Sequence, residues 1–119
     1  MTLIDRLSKL DGPDREVDAL IVKHFGLENE CPYWLHRFTR STPVHLTASV
    51  DAAIALARRI WPDVMYRVGN HAEGYDPGLY LGEIFLCDDK RDSYLTGVAS
   101  TDAIALCIAI LRAKEASKP

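Results

Sequence analysis

At 119 residues, with 48% hydrophobic and 26% charged side chains, the chain has the size and make-up of one ordinary globular domain. Folding buries roughly two-thirds of the unfolded surface at this length, so neither a metal nor a disulfide is needed to hold the core. A formal charge of −3 speaks against a general nucleic-acid binder, because phosphate binding draws on a surplus of Lys and Arg. The three cysteines, Cys31, Cys87 and Cys107, are odd in number and form no C-x-x-C pair, which predicts reduced thiols. Asp5, Arg6 and Lys9 interrupt the stretch where a signal peptide needs an apolar core. The longest apolar run, Ala103 to Leu111, is nine residues, against about 20 for a membrane span. A cytoplasmic protein without membrane contact is the expectation.

Leu3, Ile4, Leu7 and Leu10 recur at helical spacing up to the break at Gly12-Pro13. Val17, Leu20, Ile21, His24 and Phe25 resume the pattern up to Gly26, giving a helical hairpin or a kinked helix. Pro13 suits the first turn of the second helix, where a missing N–H costs nothing, and Gly26 the left-handed position after its end. His24 falls on the apolar stripe, as a core or boundary residue. Residues 28–46 lack a period and read as an irregular segment with room for one short strand. Ser49 or Thr47 caps the next helix, whose stripe is Val50, Ala53, Ile54, Ala57, Ile60 and Trp61, and Pro62 ends it. Arg58 and Arg59 in its last turn complement the helix dipole.

Val64 to Val68 and Leu79 to Cys87 read as strands on either side of a turn-rich loop, Gly69 to Gly78. In the second strand Leu79, Leu81, Phe85 and Cys87 share one face and Tyr80, Ile84 and Leu86 the other, so both faces need cover. Asp88 to Asp92 is a polar hairpin turn and Ser93 to Val98 a third strand. Ser100 or Thr101 caps a last helix running to about Lys114, apolar almost all round and therefore wedged between the sheet and a neighbouring helix. Thr47 to Ile60 and Ala99 to Leu111 are near copies: a small hydroxyl residue, an Asp, then an Ala-rich apolar helix. The fold class is α+β, a three-layer α/β/α sandwich with a small, mainly antiparallel sheet between helices.

The helix TASVDAAIALARRIWP, the strand and hairpin after it, and the closing TGVASTDAIALCIAILRA resemble the phage ABA-sandwich domain, a group of small phage and prophage proteins. The N-terminal LIDRLSKLDGPDREVDALI is similar to it too, so the likeness spans most of the chain. Asp102 stands where members often have proline after the threonine, and either residue suits a first helical turn. The resemblance implies the sandwich fold and a phage origin. It brings no catalytic residues.

Chemical motifs are sparse. His71 and Glu73 have the H-x-E spacing of zinc deaminases but lack the downstream P-C-x-x-C, and Cys87 and Cys107 lie 20 apart. Their loop, with Asp76, is nevertheless a leading place for function, since rigid scaffolds display functional groups on loops. Glu83 with Asp88, Asp89 and Asp92 is dense enough in carboxylates for a metal-dependent hydrolase or nuclease, but Phe85 occupies the Lys position of an E-x-K arrangement. The plainer reading is a charged turn and an edge-facing Glu. No P-loop, G-x-G-x-x-G or G-x-S-x-G is present.

The segment with Tyr33, Trp34, His36, Arg37, Phe38 and Arg40 is the strongest binding candidate, because Trp, Tyr and Arg concentrate energy at protein interfaces. The sequence therefore predicts a non-enzymatic phage-derived protein, without cofactor or metal, that binds a host protein through Tyr33, Trp34, Arg37, Arg40 and the loop residues His71, Glu73 and Asp76. Inhibition of a host defence system, as by anti-CRISPR proteins, is its sharpest form. Self-association through an unpaired sheet edge or the apolar face of the final helix, giving a symmetric dimer, is the third alternative beside the metal enzyme.

Overall fold

The computed structural model describes residues 2–25, 46–69, 79–87 and 92–116. In chain order they form α1 (Leu3–Ser8), α2 (Arg15–His24), α3 (Val50–Ile60), β1 (Met65–Gly69), β2 (Tyr80–Cys87), β3 (Asp92–Ala99) and α4 (Asp102–Ala116). The class is α+β, with helices packed on a three-stranded antiparallel sheet of order β1-β2-β3. Met65 pairs with Phe85, Arg67 with Glu83 and Gly69 with Leu81, while Tyr94, Thr96 and Val98 face Phe85, Glu83 and Leu81 from the other side.

Capping explains where the helices start. Thr2 and Asp5 form a reciprocal capping box on α1, each side chain accepting from the other's backbone N–H. Asp14 caps α2, accepting from Glu16 and Val17, so Pro13 precedes the cap and does not sit in the first turn as its ring geometry suggests. The Asp carboxylate wins that place because it satisfies two free N–H groups, whereas proline only avoids adding one. Ser49 caps α3 and Thr101 caps α4.

The two hydroxyls left over tie helices together. Thr47, buried, accepts from the Asp14 backbone N–H at 2.8 Å, and its own N–H donates to the buried Asp18 carboxylate at 2.7 Å. Ser100 donates to the Leu10 carbonyl at 2.8 Å.

Helix α4 occupies the middle of the molecule. Every residue from Ala103 to Leu111 is buried, as is Ala113, which matches the all-round apolar pattern in the sequence. It packs on β2 and β3 on one side and on α1 and α3 on another. Ile104, Leu106, Ile108, Ile110 and Leu111 are fully enclosed, each stabilising the fold by about 1.5–3 kcal/mol relative to exposure. In α3, Ala52 and Leu56 turn inward beside Ala53 and Ala57, whereas Ile54, Ile60 and Trp61 are half-buried. His24 is exposed, its ring edge-on to Phe25 at 5.7 Å, because the core-facing positions of α2 are Val17, Asp18 and Ile21. Lys114 closes this corner, donating to the His24 carbonyl with its ammonium 4.6 Å above the Phe25 ring. The free thiol of Cys107 is enclosed, donates to the Leu46 carbonyl at 3.3 Å, and is pushed well up from its ordinary pKa by burial and then by the Asp18 charge.

What seats α4 so close to the sheet is a glycine pair. Gly82 on β2 lies directly opposite Gly97 on β3. A Cβ at Gly82 would stand 2.6 Å from the Leu106 Cα, and one at Gly97 would stand 2.3 Å from the Ala105 carbonyl oxygen. Both obstacles are backbone, so no side chain can rotate out of the way. Gly82→Ala and Gly97→Ala are each expected to cost about 3 kcal/mol or more, lowering Tm by roughly 10 °C or more in a thermal melt. Gly12→Ala, where a Cβ meets nothing within 4 Å, is the matched control that melts close to wild type.

Candidate functional site

The sheet has two unlike faces. Tyr80, Gly82, Ile84 and Leu86 of β2 share the α4 side with Tyr66 and Val68 of β1. Arg58 of α3 reaches the same side, its guanidinium 3.3 Å from the Tyr66 hydroxyl and 5.5 Å from the ring centroid. The opposite face carries Leu81, Glu83 and Phe85 with their cross-strand partners. Among the described helices, α4 packs on all three strands, and α1, which touches β3, also packs with α4.

Two rows define this opposite face. Met65, Phe85 and Tyr94 run across β1, β2 and β3, and Met65 and Tyr94 are 57% and 53% exposed, the large apolar side chains most open to solvent among the described residues. The Phe85 and Tyr94 rings lie 4.7 Å apart at a tilt of 34°. Beside that row runs Arg67, Glu83 and Thr96. Glu83 is buried, and its Oε2 accepts from Arg67 Nε at 2.8 Å and lies 2.7 Å from Nη2. The Arg67 side chain remains 71% exposed. It lies over the carboxylate with one edge and faces solvent with the other.

Tyr94 completes the group. Its hydroxyl is held above its ordinary pKa first by a hydrogen bond to Glu83, then by desolvation and the Glu83 charge, with Arg67 opposing. A carboxylate paired at this distance with a guanidinium is poorly placed to bind a cation. Glu83 therefore does not face a sheet edge, as its position in an apolar run suggested. It sits on the central strand, covered by the side chain directly across from it on β1. No group of three or more His, Cys, Asp or Glu suited to a metal lies among the described residues. No helix there is long and apolar enough to cross a membrane.

The residues singled out in the sequence as binding candidates, Tyr33, Trp34, Arg37, Arg40, His71, Glu73 and Asp76, lie outside the described residues, as do Cys31 and Asp88. Sequence reasoning missed Arg67, Met65 and Tyr94. The signal was the register: once Arg67 is placed opposite Glu83, a buried carboxylate has its cation, but the long connection between β1 and β2 does not dictate which residues pair.

Removing the Arg67 guanidinium strands a buried charge. Arg67→Ala is expected to destabilise by about 2–3 kcal/mol in a denaturant melt, whereas Arg67→Met combined with Glu83→Leu recovers most of that loss because no uncompensated charge remains. The Tyr94 shift has its own readout. In a phenolate absorbance titration, with Tyr94→Phe subtracted, Tyr94 ionises above 10.0, and Glu83→Gln moves it back toward that value. Since the folded pKa is the higher one, the associated stability is present below the unfolded pKa and lost as pH rises through the folded value. Comparison with known proteins adds no relative to this geometry: no protein-family model, curated protein or solved structure matches the chain.

Proposed function

We propose that this protein acts by binding a partner protein through the sheet face that carries Met65, Phe85, Tyr94 and Arg67. The observation that carries the reading is the cross-strand row of Met65, Phe85 and Tyr94, open at both ends, beside an Arg held in place by a buried carboxylate. Tyr, Arg and Met are over-represented in protein interfaces, where an apolar body buries area and a polar tip finds a partner. A side chain already fixed before contact loses less conformational entropy on binding, which favours Arg67 over a free surface arginine. The bond and ion pair of Glu83 with Arg67 support recognition over the metal-dependent hydrolase alternative.

The resemblance to phage ABA-sandwich proteins gives the partner a class. It supports a phage or prophage origin, action in the host cytosol, and a host protein as target, with a component of host defence as the sharpest form. Tyr33, Trp34, Arg37 and Arg40 belong to the same proposal as a second contact segment, and so does the loop with His71, Glu73 and Asp76.

The test is affinity capture of the tagged protein from a bacterial host lysate, with mass spectrometry of what is retained. Wild type should hold one protein in stoichiometric amount. The double variant Met65→Asp, Tyr94→Ser should lose it while keeping a wild-type circular dichroism spectrum. Equal retention by a folded double variant overturns the assignment to this face. If Trp34→Ala with Arg37→Ala alone abolishes capture, the contact belongs to that segment.

A further inference from the structure

The Arg112 guanidinium lies at the end of an unusual path. Gly97 of β3 rests on the stripe of α4 formed by Ala105, Ile108 and Ala109. Arg112 is the next residue along that stripe, exposed where its predecessors are buried. Its side chain rises past the strand, and Nη1 donates to the Thr96 carbonyl at 2.7 Å.

That bond bears on the edge of the sheet. Among the described residues, β3 pairs with a strand on one side, β2. In an antiparallel ladder, backbone groups point alternately toward the partner strand and away from it. A carbonyl engaged between β2 and β3 is out of reach of a side chain climbing from α4, so the bond places the Thr96 carbonyl on the side away from β2. The backbone groups of Tyr94 and Val98, two residues to either side, then point the same way. They form a strip of donors and acceptors on which another strand could pair.

The strip is self-complementary. If a second β3 were added antiparallel about Thr96, Thr96 would face Thr96 of the other copy, and each Tyr94 would face a Val98. Those are aromatic and β-branched cross-strand pairs without like charges, a favourable combination. The acceptor at the centre of that register is the Thr96 carbonyl, which Arg112 occupies. The geometry points to Arg112 as a guard of the β3 edge, and to a second copy of this chain as the partner it excludes. A charged side chain lying on an edge strand opposes pairing both by occupying the acceptor and by the desolvation that an incoming strand would impose on the guanidinium.

The test is molar mass by light scattering on the full chain. Wild type should run as a single copy at concentrations where Arg112→Ala and Arg112→Met both double in mass; the second variant keeps the length and packing of the side-chain stem. Adding Thr96→Pro to either should restore the single copy, because proline removes the outward N–H and blocks the edge without breaking the β2 ladder. A folded Arg112 variant that stays a single copy overturns the proposal. So does a dimer that persists in the presence of Thr96→Pro, or a wild type already dimeric and sensitive to it.

Discussion

The approach of α4 to the sheet at Gly82 and Gly97 is the constraint on which the other elements depend. Helices usually lie on a sheet through interleaved side chains, but here backbone meets backbone over β2 and β3. The closeness explains the composition of α4, where Ala103, Ala105, Ala109 and Ala113 alternate with large aliphatic residues: small ones approach the neighbouring backbone and large ones fill the space around it. A helix held this deeply has no solvent-facing stripe until Arg112. It is covered by α1 and α3 on the side away from the sheet, and that requirement fixes where those two helices can go.

The two near-copied stretches bring that N-terminal half into place. In each, one hydroxyl caps its own helix and a neighbouring one bonds to the link between α1 and α2. Ser49 caps α3 while Thr47 bonds Asp14; Thr101 caps α4 while Ser100 bonds Leu10. Leu10 and Asp14 bracket the Gly12-Pro13 break, so both ends of the link are tied to the starts of the two core helices. The repeat in the sequence is thus a repeated joint, and its hydroxyl pairs divide the work between helix start and helix contact. Asp18 and the Cys107 thiol extend the same joint inward, through the Thr47 N–H and the Leu46 carbonyl.

Much of this was legible before any coordinates. The helix ends came from Ser49, Thr101 and Pro62, the strands from alternation between Val64 and Val98, and the middle position of α4 from its lack of a polar face. Local rules suffice for such features because a cap or a period acts within a few residues. The errors share another cause. The preferences of Pro13 and His24 alone point elsewhere, but a neighbour with a stronger claim, Asp14 in one case and the core-facing Ile21 in the other, decides their places. Glu83 looks like an edge residue in the sequence because its cation lies 16 positions earlier in the chain. Gly82 and Gly97 look like weak points in strands until their register sets them opposite each other. Pairing across a sheet is long-range information, and the site depends on it.

The contrast between the two faces of the sheet carries the last step. On the α4 side the chain removes side chains, with glycine at both central positions, to gain contact. On the other side it places a buried carboxylate between Leu81 and Phe85, where an apolar residue would pack without the cost of desolvating a charge. A Leu at position 83 would leave a continuous apolar face from Leu81 to Phe85, flanked by exposed Met65 and Tyr94, a surface prone to indiscriminate association. The ion pair interrupts that surface, and it holds Arg67 beside the apolar row. A buried ion pair adds little net stability compared with well-packed apolar residues, so stability alone does not account for Glu83. In the binding role proposed above, an interface that combines an apolar row with an oriented guanidinium penalises any partner that leaves those polar groups unmatched.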